Sequence, residues 1–364
     1  MIKLFHPHIP EEFFPKVEET LKSGWIGQGP VVDEFEKAFA EYTQSEYAVM
    51  VNSATSGLNL AVHAAGVGPG DEVLTTSMTF ISSNHAILNA GAHPVFVDID
   101  PKTLLMDLKL ARAKITPRTK AIMAVHYGGN PFDMRTLYAL AEEFGLRVIE
   151  DAAHACGSYS GPTPIGGFGL TCFSFHAVKN LPVGDGGMVT TNDEEEYNTL
   201  RSMTWLGIDK STFARSSGDY KWEYDVPTVG YKYHSNDIAA ALGVQGLEKL
   251  NEWNEYRQML RYEYEARLPG VEFLEQTPNT FSSGHLCVIR VPYRDTLHDR
   301  LAENGIDTGV HYKPNHLYPM YQQYDMGDLV ETEKAYSEIL SLPMHLKLNT
   351  NDISYITGTM KRYL

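Results

Sequence analysis

A chain of 364 residues with 43% hydrophobic and 21% charged residues has the composition of a folded globular protein, not of a disordered or fibrous one, and is long enough for one large and one smaller domain. Its formal net charge of -16 opposes a broad phosphate-binding face, so a nucleic-acid partner is not expected, and any anionic ligand must be met by a few placed cations or helix N-termini. Cys156, Cys172 and Cys287 form no CxxC pair and predict buried thiols in a reducing compartment, consistent with a cytoplasmic protein.

The N-terminus, MIKLFHPHIPEEFF, meets charge and proline before an apolar stretch can develop, which predicts neither a secretory signal nor a membrane anchor. Short β-rich runs then follow at 47–51, 72–76, 94–98, 120–125 and 146–151, with helical patterns between them at 56–65 and 134–144. This alternation predicts a mostly parallel sheet covered on both faces, whose strand ends form the functional edge. The run 152–178 has no Asp, Glu, Lys or Arg, but Gly, Pro, Ser, Thr and His interrupt it throughout, as in a lined pocket and unlike a membrane span.

Strands are predicted at 170–175 and 187–191, a helix from a turn at 192 through 200, and a long loop over 207–227. A helix over 238–265 links a large domain (1–245) to a smaller C-terminal α/β domain (246–364), which holds a strand at 286–291 and helices at 296–304 and 352–363. Gly66-Val67-Gly68-Pro69-Gly70 is a turn and not a dinucleotide fingerprint. His311 and His316 lack a third ligand at a recognisable spacing, so no metal is expected.

Three places carry chemistry. Asn52-Ser53-Ala54-Thr55-Ser56-Gly57 follows a strand and opens a helix, where free N–H groups and hydroxyls suit a bound anion, although the same residues suit a plain helix cap. Asp151 ends the LRVIED strand; alone, it reads equally as a turn carboxylate. Lys179 lies a few residues beyond a strand, and a lysine whose pKa is lowered by a partly desolvated site becomes a nucleophile.

Taken together, Glu150-Asp151-Ala152-Ala153-His154, Phe173-Ser174-Phe175-His176-Ala177-Val178-Lys179-Asn180 and Gly184-Asp185-Gly186-Gly187 resemble the DegT/StrS family of PLP-dependent sugar aminotransferases, and the resemblance runs from about Ser23 to the C-terminus. It implies a fold-type-I aminotransferase, a homodimer with shared active sites, and pyridoxal 5′-phosphate as cofactor. Lys179 would be the amine that condenses with the cofactor aldehyde and shuttles the proton, and Asp151 the partner of the pyridine nitrogen. Ala54, Thr55 and Ser174 would hold the phosphate, Phe80 would stack on the ring, and His154 would lie beside the ring hydroxyl.

Lys232 stands where the family commonly has Asn in a segment reaching the partner subunit's cofactor phosphate, and His234 stands where it has Arg. Trp25 and Gly29, with His311 and Tyr312, match segments that border the substrate. The implied reaction moves an amino group, with glutamate as donor, to a nucleotide-linked ketosugar, a 4-keto-6-deoxy sugar ahead of a 3-keto one. Family members that dehydrate their sugar replace the lysine with histidine, so Lys179 points away from that chemistry. A keto-cyclitol or other small-ketone aminotransferase and a non-catalytic PLP-binding module are the competing readings.

Overall fold

The strands β1 (Tyr47–Val51), β2 (Glu72–Thr76), β3 (His93–Val97), β4 (Thr119–Val125) and β5 (Arg147–Asp151) follow the predicted alternation with helices. After β5 come the two-residue strands β6 (Tyr159–Ser160) and β7 (Thr163–Pro164), then β8 (Leu170–Ser174) and β9 (Gly187–Thr191). The computed structural model describes residues 1–208, 224–324 and 327–364. Most of the loop predicted over 207–227 therefore lies outside the described residues.

Seven strands form one sheet in the order β1-β9-β8-β5-β4-β2-β3. β9 alone runs against its neighbours, antiparallel to β1 and to β8; the other contacts are parallel. The sheet is covered on both faces, and successive side chains of β1 show it: Ala48 and Met50 join one core, while Val49 and Val51 join another. That period of two, with every position of β2, β8 and β9 buried, is what a sheet sandwiched between helices requires.

Beyond the sheet, the helix Asp237–Arg267 packs its start against helix Pro30–Thr43, where Gly243 lets Phe35 approach. Its later turns supply Leu260 and Tyr264 to a third core. The expected division between residues 245 and 246 falls inside this helix.

The third core is built on an antiparallel sheet of β10 (Glu272–Phe273), β12 (Cys287–Arg290) and β13 (Ile339–Leu342). Helices Arg294–Glu303 and Thr350–Met360 cover it. Two crossings tie the parts together. β11 (Thr280–Phe281) pairs with β6, and the N-terminal Ile2 bridges Ile306 while Leu4 accepts from the Met344 N–H at 3.0 Å. No helix of the described residues is long and apolar enough to cross a membrane, and all three cysteines are buried and unpaired.

Candidate active site

Parallel strands deliver their following loops to one edge, and the carboxyl ends of β1, β2, β4, β5 and β8 converge there on a cavity of about 360 Å³. At the end of β1, Ser53 caps helix Ala54–Ala64, its Oγ accepting from the Ser56 N–H at 3.1 Å. The N–H groups of Ala54 and Thr55 have no partner among the described residues, as expected in a first helical turn. They open onto the cavity with the positive end of the helix dipole behind them. β9 passes so close that a Cβ on Gly187 would lie 2.7 Å from the Ala54 nitrogen. Across the cavity, Ser174 is buried at the end of β8.

Asp151 is buried at the end of β5, and its two oxygens are each held by one donor: Oδ2 accepts from Ser83 Oγ at 2.6 Å and Oδ1 from the Ala153 N–H at 3.1 Å. Ser83 in turn meets Thr79 Oγ1 at 2.8 Å. The carboxylate is thereby oriented and keeps accepting capacity for a further donor in the cavity.

Lys179 sits half-buried in the turn after β8, where its N–H bonds the His176 carbonyl at 2.8 Å. Burial lowers its pKa to about 8, against the opposing attraction of Asp151. The amine is a nucleophile in its neutral form, so the rate at which cofactor-free protein captures an aldehyde should rise through a midpoint near pH 8. Stopped-flow absorbance on adding PLP would show this, and a midpoint above pH 10 would mean that the burial is not felt.

His154, His285 and His311, with the rings of Phe80 and Tyr312, form part of the walls. The Gly128 N–H donates to His154 Nδ1 at 3.2 Å, so the ring proton sits on Nε2 and is shared with Tyr312 Oη at 2.9 Å. Burial first, and Lys179 second, hold His154 well below the ordinary histidine range. The same causes push His311 down to about 4, and it bonds Ser341 Oγ through Nδ1 at 2.9 Å. His285 is likewise held low by burial, with His154 and Lys179 adding to it. Burial raises the Tyr312 phenol, which stays protonated and can donate. Phe80 is 55% exposed, its ring 5.8 Å from that of Tyr312, so an aromatic face is presented to the cavity instead of filling a core.

Ala54, Thr55, Phe80, Asp151, His154, Ser174, Lys179, His311 and Tyr312 all line this one cavity. Trp25 and Gly29 do not; they border a separate hollow with Arg201 and Trp205. The Gly29 N–H is taken by Asp237 Oδ1 at 2.8 Å, and the Trp25 indole N–H bonds the Gln28 carbonyl at 2.9 Å. Lys232 is also outside the cavity, its Nζ 5.1 Å over the Trp205 ring, although the next residue's carbonyl accepts from the Asn52 N–H at 2.7 Å.

His316 bonds Ser77 and Glu333, and no group of three or more metal-ligating side chains occurs among the described residues. Phe5 and His285, which line the cavity, and Ser83, buried behind Asp151, are among the residues that escaped the sequence reading. Ser83 had a faint signal, lying one helical turn after Phe80; the other two had none.

Compared with known proteins, residues 7–361 match the DegT/DnrJ/EryC1/StrS aminotransferase family. The spore coat polysaccharide biosynthesis protein SpsC of Bacillus subtilis (strain 168) is 39% identical over 373 residues, covering 98% of this chain and 95% of SpsC. Among solved structures, the PMP form of Spr1654 from Streptococcus pneumoniae superposes with a TM-score of 0.94 at 33% identity, covering 100% of this chain and 98% of that one. The sugar aminotransferase CalS13 from Micromonospora echinospora gives 0.92 at 32% identity, with 100% of both chains covered.

Proposed function

Because this chain belongs to the DegT/DnrJ/EryC1/StrS aminotransferase family, we propose that it moves an amino group from glutamate to the keto carbon of a nucleotide-linked sugar, a 4-keto-6-deoxy sugar in the first place. It is a transaminase, and its cofactor is pyridoxal 5′-phosphate; Spr1654 has been solved in both PLP and PMP forms. The observation that carries the reading is the convergence of an oriented, buried carboxylate and a lysine of lowered pKa on one cavity.

When bound, the cofactor supplies an aldehyde that condenses with amines and a pyridinium ring that withdraws electrons from a carbon losing its proton. Asp151 would hold the proton on the ring nitrogen, kept in place by Ser83 and the Ala153 N–H. The unpartnered N–H groups of Ala54 and Thr55, with the Thr55 and Ser174 hydroxyls, would bind the phosphate. Phe80 would offer its face to the ring, and the His154–Tyr312 pair would position a donor near the ring hydroxyl. Lys179 Nζ would anchor the cofactor and, once released, carry the proton from the donor carbon. Phe5, which also lines the cavity, offers an apolar ring that suits the methyl group of a 6-deoxy sugar.

The test is to add glutamate to the PLP-loaded enzyme and follow the visible spectrum, then to assay a panel of nucleotide-linked ketosugars. Conversion to the pyridoxamine form followed by amination of a 4-keto-6-deoxy sugar supports the reading. Cofactor binding without conversion, or turnover confined to keto-cyclitols, overturns it.

The active sites would be shared in a homodimer, with Lys232 reaching the cofactor phosphate of the partner subunit. Its backbone lies beside Asn52, at the mouth of the phosphate loop, which supports that reach. Lys232→Ala should then weaken PLP binding about fivefold, the worth of roughly 1 kcal/mol for a partly exposed charge pair. An unchanged Kd by fluorescence titration would remove the contact.

A further inference from the structure

A second, small chamber is lined by Arg257, Trp253, His6, His8, His285 and His345, with the backbone turn at Lys179 beside it. It leaves about 10 Å³ for the centre of a water-sized guest, and no Asp or Glu lines it. Arg257 is 6% exposed, yet it donates just to the Trp253 carbonyl at 3.2 Å and Asn254 Oδ1 at 3.5 Å, both through Nη1. Its Nε and Nη2 have no partner, and no described carboxylate pairs with it. The other buried arginines differ: Arg290 pairs with Glu338 at 2.6 Å and Arg294 with Asp295 at 2.5 Å.

A guanidinium taken out of water without a counter-charge is strongly unfavourable. Burial lowers Arg257 to about 10, another expression of the same cost. The neighbouring imidazoles do not supply the missing negative charge. His345 donates from Nε2 to the Lys3 carbonyl at 3.0 Å and accepts the Lys347 N–H at Nδ1. His285 donates from Nδ1 to Asn180 Oδ1 at 2.9 Å, an orientation set because Asn180 Nδ2 donates to Asn254 and to the Ser283 carbonyl. His6 donates to its neighbour's carbonyl. Lys347 adds positive charge near His8, and the carboxylates Glu12 and Asp352 act on His8 and His345, but neither bonds Arg257.

We propose that this chamber binds one small monovalent anion of halide size at the Arg257 guanidinium, on the side where Nε and Nη2 have no partner. The anion answers the unpaired charge, so the stability of the protein depends on the kind of salt present and not on ionic strength alone. The inference rests on the chamber's own side chains and stands apart from the identity of the sugar and the donor.

Crystals of the holoenzyme soaked in sodium bromide should show an anomalous peak within hydrogen-bonding distance of Arg257. In solution, the Tm of the holoenzyme should shift upward saturably with bromide and not with gluconate at equal ionic strength, and Arg257→Gln should abolish that difference. The wild-type peak together with the wild-type melting difference decides the matter even if the buried variant fails to fold. No peak, or a peak with identical melting in the two salts (an adventitious ion only), overturns the proposal.

Discussion

Replacing Lys179 with alanine should stop turnover, lowering kcat by at least about 10⁴-fold, the upper end of what one positioned acid–base group supplies. The loss is large because the described residues lining the cavity include no second amine, and His154, His285 and His311 are held neutral and are weak bases. The fold should survive, since a lysine whose burial disfavours its charge contributes little to stability. PLP would still be retained by the phosphate loop, without a covalent link. Borohydride reduction followed by peptide mapping should place the label on residue 179 in the wild type and on no residue in the variant. Activity within tenfold of wild type would remove Lys179 from the chemistry.

Asp151→Asn should be the next most damaging change, lowering kcat by about 10²- to 10³-fold, which corresponds to roughly 3–4 kcal/mol for uncoupling a buried charge pair. The amide can still accept from Ser83, so the fold is preserved, but it no longer carries the charge that would hold a proton on a ring nitrogen. A second readout separates this role from a packing defect. Asp151 raises the Lys179 pKa against burial, so its neutralisation should move the midpoint of PLP capture below pH 8. A midpoint that stays in place would mean that the two groups are not coupled.

The convergence on one cavity was legible where a residue lay at the end of a hydrophobic run. Asp151, Ser174 and the loop at Ser53 each terminate a strand whose apolar pattern marks it, and parallel pairing brings such ends to one edge whatever the intervening sequence. Lys179 was legible through its order after Asp151. Ser83 and His285 were not, because they meet the site through packing between segments distant in sequence, Ser83 behind Asp151 and His285 onto His154 at 4.4 Å between rings.

The resemblance of the segment at Gly29 did not reveal its second role, as the cap of helix Pro30–Thr43 secured by Asp237. The linking helix was anticipated to within two residues at either end, but a pattern of period 3.6 does not reveal that one helix serves two cores. β13 and the two-residue strands β6, β7, β10 and β11 were absent from the reading, since runs so short carry no measurable period.

The pairing of Ile2 with Ile306 has a consequence for biosynthesis. As the polypeptide leaves the ribosome, its first residues must stay unsatisfied until almost the whole chain has emerged, because their partners are translated near the end. Phe5, which stacks on His285 at 5.6 Å, can take its place beside the cavity only then. A prematurely terminated product would therefore carry the loop at Ser53 and Lys179 but lack a wall, leaving the cavity between them open to water.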